Sequence, residues 1–162
     1  MTCRSEITLE FEDVLLSIKH AELRRYEAIC AGLKDRFYGS HLSDVEILKR
    51  EAAGVCAEIA VAKWLGLKLA LRLNSFHNEA DIGHDIEVRS ILNPDRGLAL
   101  RKNDNMTRRF ILVHVGRCKA KLLGWIYGYE GMEPEYLTNP HGKGEVWFVP
   151  QSRLYEMSTF ER

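Results

Sequence analysis

No run of apolar residues in this chain approaches the length of a membrane span, so a bilayer-crossing helix is not expected. The opening residues, MTCRSEITLEFED, lack the basic-then-apolar layout of a secretion signal, and the expectation is a protein that stays where it is made. Cysteine is sparse. Cys3, Cys30, Cys56 and Cys118 form no CxxC pair, which argues against a disulfide framework and against a structural zinc site. Cys30 and Cys56 fall on apolar helical positions and are expected in the core. No internal repeat, low-complexity tract, nucleophile elbow, phosphate-binding glycine loop or dinucleotide fingerprint is present, which removes the function classes those motifs mark.

What is present is an ordinary globular composition, 46% hydrophobic and 28% charged over 162 residues, enough for one domain with a real core. The formal net charge is zero, but the charges are unevenly spread. Residues 89–121 hold nine basic side chains against two acidic ones, in a chain that is mildly acidic elsewhere. A local excess of this kind is either the footprint of phosphate contacts or a solvated surface balanced by other segments.

The segment ITLEF, residues 7–11, reads as a short strand or lead-in. A first helix follows over residues 12–37, with Leu16, Leu23, Tyr26, Cys30, Leu33 and Phe37 at helical spacing. Ser43 or Asp44 caps a second helix over residues 45–67, whose stripe is Leu48, Ala52, Val55, Ile59 and Ala62, and Gly66 marks its end. Strand patterns then dominate: LKLALRL, DIEVRSIL, GLALRK, RFILVHVG, KLLGWIYGYEG and EVWFVPQ. RFILVHVG is apolar enough for a central strand covered on both faces. Residues 130–145 read as a loop with a helical turn at EPEYL. Two helices followed by a run of strands predict an α+β domain with helices packed against a mixed sheet.

The stretch ADIGHDIEVRS, residues 80–90, carries the densest chemistry. Gly83 suits a tight turn, and beyond it alternation places Asp85, Glu87 and Arg89 on one face, with Asp81 at the mouth. Carboxylates converging at a strand end make a hard oxygen site suited to Mg²⁺ or Mn²⁺. The alternative is a solvated strand face. Glu58 is the one acid between Ala52 and Leu67, beside the apolar stripe of the second helix. It is either a further ligand pointing at the strand end or a partly exposed edge residue.

Gly54-x-x-x-Glu58 on a helix, followed by Asp81 and Glu87-x-Arg89 on a turn and strand, resembles the PD-(D/E)XK superfamily of restriction-endonuclease-like nucleases. More narrowly, GVCAEIAVAKWLGL, ADIGHDIEVRS, LALRKND, FILVHVG, GWIYGYE and WFVPQSRL are similar, in this order, to a group of small phage and prophage proteins, over about residues 5–155. The resemblance implies a restriction-endonuclease-like mixed β-sheet flanked by helices. Residues 41–155 would be a nuclease-like core and residues 1–40 an N-terminal helical extension of the same single domain. It also implies Glu58, Asp81 and Glu87 as ligands of Mg²⁺ or Mn²⁺, and Asp81, Glu87 and Arg89 as the catalytic set; Asp85 has no fixed counterpart there, and its strand face makes it the candidate auxiliary ligand. Arg89 stands where the superfamily has lysine. Arginine stays protonated and cannot serve as a general base, but it can hold a phosphate or offset developing negative charge.

Two functions follow as expectations: metal-dependent hydrolysis of nucleic-acid phosphodiester bonds, or a catalytically silent module of the same fold that binds nucleic acid or a phage or host protein. The expected partner is nucleic acid, DNA foremost, met in the cytoplasm of a host cell, with homodimerisation compatible with cutting two strands. Arg101, Lys102, Arg108 and Arg109 are the expected phosphate contacts. Trp125, Tyr127 and Tyr129 are expected as one side of a core rather than a base-stacking row. His77 and His84 flank Asp81 without the further ligands that a softer metal needs.

Overall fold

The apolar residues of the second helix surround it rather than lining one stripe, and this determines how the chain is layered. In the computed structural model, which describes residues 5–32, 42–69, 79–139, 142 and 144–162, that helix is α2, Asp44–Leu65. From Ala53 to Ala62 it is buried at nearly every position, because a sheet covers one side and the first helix, α1 (Phe11–Cys30), covers another. Ser43 caps its start: the hydroxyl accepts the Glu46 N–H at 3.3 Å while Glu46 accepts the Ser43 N–H at 2.9 Å. Gly66 ends it with φ +70°, the left-handed conformation that favours glycine.

The main sheet has four strands, β1 (Glu6–Thr8), β2 (Ile86–Ile91), β4 (Arg109–Gly116) and β5 (Lys119–Tyr127), in the order β1-β5-β4-β2. It is mixed: β2 runs parallel to β4, and the other pairs are antiparallel. A second, antiparallel sheet has the order β3-β7-β6, from β3 (Leu98–Arg101), β6 (Leu137–Thr138) and β7 (Val146–Val149). A short helix, α3 (Gly128–Gly131), follows β5 directly.

The strand β4 is central, as its composition predicts, and its alternation builds two cores. Ile111, Val113 and Val115 pack towards α2, while Phe110 and Leu112 pack with Leu98, Leu100 and Val149 of the second sheet. On β5 the pairing register slips between the partners of Leu112 and Val113, from Gly124 to Leu122. The extra residue, Leu123, lets Leu122 and Trp125 join the same core despite their odd spacing. The α+β class is therefore as expected, with one difference. Helices cover one face of the mixed sheet, and a second sheet covers the other, because both faces of β4 are apolar. Of the expected strand at residues 67–73, positions 67–69 are not in a strand and the rest lie outside the described residues.

The first helix departs most from expectation. Leu16, Leu23, Tyr26 and Cys30, expected to face the core, are exposed, as are Phe11, Leu15, Ile18 and Ile29. Leu33 and Phe37 lie outside the described residues. Its buried positions are Ser17, His20 and Ala21. The seam between α1 and α2 is instead polar: Asp13 pairs with Lys63, the Cys56 thiol donates to the Ser17 hydroxyl at 3.2 Å, Arg24 meets Glu58, and Arg25 meets Asp44 at 2.9 Å.

Candidate functional site

Among the described residues β2 is the outer strand of its sheet, and four of the sequence's candidate residues lie near it. Gly83, with φ +62°, turns the chain so that Ile82 bridges Ile86 through both of their N–H···O bonds. The same turn brings Asp81 alongside the strand, where its Oδ2 accepts the Val88 N–H at 2.8 Å. Asp81 thus seals a backbone donor on the edge strand, which would otherwise be open to pairing with another chain. Ile86 and Val88 face the α2 core, whereas Glu87 and Arg89 point to the opposite side. There the Arg89 guanidinium lies 5.3 Å from the centre of the Phe110 ring.

Glu58 reaches this region from α2 and is only 8% exposed; Glu87 is 9% exposed. Arg24 forks both Glu58 oxygens, each at 3.2 Å. Glu87 receives Arg108 on Oε1 and Arg89, at 3.4 Å, on Oε2. Arg108 is itself buried and also donates to the Glu79 carbonyl at 3.1 Å. Burial raises the Glu58 carboxyl against the pull of Arg24, and the neighbouring Asp81 adds to the rise. Glu87 is pushed up to about 7 by burial first and Asp81 second, with Arg89 and Arg108 opposing. Burial works against the charge of Arg89, but Asp104, Glu87 and Asp81 together outweigh it and raise its pKa. Asp81 therefore acts on both glutamates, with Arg24 holding Glu58, Arg89 and Arg108 holding Glu87, and the Val88 N–H holding Asp81.

Asp104 extends the cluster outward. Its Oδ1 accepts Arg89 at 2.8 Å and its Oδ2 accepts the Arg101 backbone N–H at 2.8 Å. The exposed side chains of Arg101, the last residue of β3, and Lys102, in the turn after it, are accordingly fastened to the cluster. Neither Arg24 nor Asp104 stands out in the sequence: Arg24 is 34 residues from its partner, and Asp104 is one of two acids in a basic stretch.

Two expected groupings divide differently. Asp85 precedes β2 and does not join Glu87. It is forked by Arg109 at 2.7 and 3.1 Å, with Arg109 also donating to the Glu161 carbonyl at 2.6 Å and lying 4.3 Å over the Phe160 ring. Arg108 and Arg109, expected on phosphates, are thus engaged by carboxylates of the fold, while Arg101 and Lys102 face solvent. Of the four expected phosphate contacts, Arg101 and Lys102 are the exposed pair.

The aromatic row is one cluster with a graded exit. Trp125 packs in the core against Tyr127, Tyr155 and Phe160, and Tyr127 stacks on the exposed Tyr129 at 5.3 Å. His84 is almost fully exposed, 3.9 Å from Asp85, and His77 lies outside the described residues.

Carboxylate oxygens are the right donors for Mg²⁺ or Mn²⁺, but their arrangement here does not fit an ion. Both oxygens of Glu58 and of Glu87 receive arginine, and Asp81 is drawn to a backbone N–H. Among the described residues, no three acidic, histidine or cysteine side chains converge on a point that could hold a cation. Compared with family models, curated proteins and solved structures, the chain matches none.

Proposed function

We propose that this chain is a nuclease-like, nucleic-acid-directed protein whose working edge is β2, and that in the arrangement described it binds a phosphodiester backbone without cutting it. The observation that carries the reading is the Asp104 bridge, which fastens the exposed Arg101–Lys102 turn to the Glu87–Arg89 pair. A backbone neutralised by Arg101 and Lys102 would run past the carboxylate cluster, and its affinity would fall steeply with salt. Cutting is absent from the reading because arginine and backbone N–H groups take the oxygens that a metal would need.

Metal-dependent hydrolysis is the second reading, favoured by one observation. Glu58, Asp81 and Glu87, from a helix, a turn and a strand, gather closely enough for Asp81 to raise both glutamates. It would require Arg24 and Arg108 to release their carboxylates to Mg²⁺ or Mn²⁺.

The test is incubation of the purified protein with labelled duplex, single-stranded and branched DNA, and with RNA, in Mg²⁺, Mn²⁺ or EDTA. The Asp81→Asn/Glu87→Gln and Arg101→Ala/Lys102→Ala variants run alongside. Salt-dependent binding in EDTA, lost in the Arg101/Lys102 variant and without cleavage, is the expected result. Metal-dependent cleavage that disappears in the Asp81/Glu87 variant would replace it with the hydrolytic reading. Absence of binding at low salt would overturn both.

A further inference from the structure

We propose that the exposed face of α1 is the interface with a second copy of this chain, the two α1 helices packing antiparallel about a two-fold axis between His20 and Ala21. A surface helix normally turns its apolar stripe inward. This one does the reverse. Phe11, Leu15, Ile18, Tyr26 and Ile29 follow one another at helical spacing, with Phe11 75%, Tyr26 68% and Ile29 61% exposed. Leu16 and Leu23 widen the stripe on one side and are also about half exposed. Their combined exposed area is on the order of 800 Å², which is the share each partner contributes to a standard dimer interface and above the usual largest patch of a monomer. The inward face of α1 is meanwhile committed to α2 through its polar seam, so the helix cannot roll its apolar side inward without breaking Asp13–Lys63, Arg24–Glu58 and Arg25–Asp44.

The pattern is self-complementary, which singles out a second copy as the occupant. Reversing the helix about its midpoint sets Leu15 opposite Tyr26, Ile18 opposite Leu23, and Phe11 opposite Cys30. One acid, Glu22, interrupts the stripe in the step from Ile18 to Tyr26, and the same reversal sets it opposite Lys19. Both are exposed. In a two-fold interface each such pair occurs twice, so Glu22 and Lys19 supply two cross-copy ion pairs. A lipid surface would gain nothing from Glu22, and a dissimilar partner would not explain the match between the two halves of the helix.

The experiment is sedimentation of the full chain from low to high micromolar concentration. A reversible dimer is expected. Ile18→Glu should leave a monomer across the range with unchanged far-ultraviolet circular dichroism. Lys19→Glu and Glu22→Lys should each weaken the dimer by up to about tenfold, since surface ion pairs contribute modestly and two are lost, and the double reversal should recover most of that loss. A monomer at every concentration, or a dimer indifferent to Ile18→Glu, would overturn the proposal. So would a double reversal no stronger than the single variants, or Ile18-dependent binding of the wild-type monomer to phospholipid vesicles. The nucleic-acid reading of the β2 edge is read out by binding and cleavage and stands or falls separately.

Discussion

The two long helices, α1 and α2, lie side by side and bury opposite kinds of surface. The buried positions of α2 run almost unbroken through its second half and include Val55, Ile59 and Val61, whereas α1 buries Ser17, His20 and Ala21 and leaves its leucines and aromatics outside. Their shared seam is made of ion pairs and a thiol–hydroxyl contact. The difference shows that helical periodicity identifies a stripe but not the direction it faces. That direction is set by what the neighbour offers. The α2 surface that meets α1 carries Asp44, Cys56, Glu58 and Lys63, so α1 answers with Arg25, Ser17, Arg24 and Asp13.

The largest expected effect tests this asymmetry directly. Ile59→Ala in α2 removes a buried side chain from the core between helix and sheet and should cost about 3 kcal/mol in urea unfolding. Ile18→Ala in α1, measured at concentrations where the chain is monomeric, should change stability by less than about 0.5 kcal/mol. Equal costs at the two sites would mean that the α1 stripe is covered within the monomer, and the contrast between the helices would disappear.

The carboxylate edge gives a pH-dependent counterpart. Burial and Asp81 raise Glu87 to about 7 from an ordinary 4.5, so between those values the folded chain holds a proton that the unfolded chain has released. Stability should therefore fall as pH rises through that window, by up to roughly 3 kcal/mol at about 1.4 kcal/mol per unit. In Glu87→Gln this contribution to the slope should vanish, and unfolding midpoints measured from pH 4 to pH 8 should run flatter than in the wild type. An unchanged slope would show that Glu87 is fully ionised by its two arginines and that Asp81 has little influence on it.

The polar seam supplies a third measurement of intermediate size. Arg24→Met leaves Glu58 buried without its fork and should destabilise the fold by about 2 kcal/mol, because one partner of a largely buried pair is removed. Adding Glu58→Gln should return part of that loss, giving a coupling of about 1 kcal/mol in the double-mutant cycle. Simple additivity would instead show that the two side chains act independently and that α1 is held to α2 by the other contacts of the seam.

These sites also show what a sequence can disclose. The boundaries of α2 were legible because Ser43 and Gly66 carry their conformational chemistry locally, and β4 announced its central place by being apolar on both faces. The turn at Gly83 and the grouping of Asp81, Glu87 and Arg89 were legible for the same reason, since they lie within nine residues. Tertiary pairings were hidden. Asp85, two positions from Glu87 and of the same charge, is drawn away by Arg109 across a strand pairing, and Arg24 reaches Glu58 from a helix whose packing the periodicity misreported. The second sheet was hidden too. Two of its strands, β3 and β7, are individually visible, whereas β6 falls in the segment read as a loop, and nothing local says that they stack on the main sheet instead of extending it.

The smallest expected effect concerns Gly54, one turn before Glu58 in α2. A helix glycine in a nuclease-like pattern invites the idea that α2 needs it to approach the sheet. The space says otherwise: a Cβ there would meet only the Ser90 hydroxyl oxygen at 3.9 Å, an ordinary contact. Glycine costs a helix interior about 0.5–1 kcal/mol relative to alanine through its greater freedom in the unfolded chain. Gly54→Ala should therefore stabilise the protein by about that amount in urea unfolding, with nucleic-acid binding unchanged. Destabilisation would mean that α2 and β2 approach more closely at Ser90 than that contact indicates. Stabilisation accompanied by loss of binding would mean that the edge near Glu58 must shift to receive its ligand, and the contrast between a fixed α2 and an outward-facing α1 would then need a moving part.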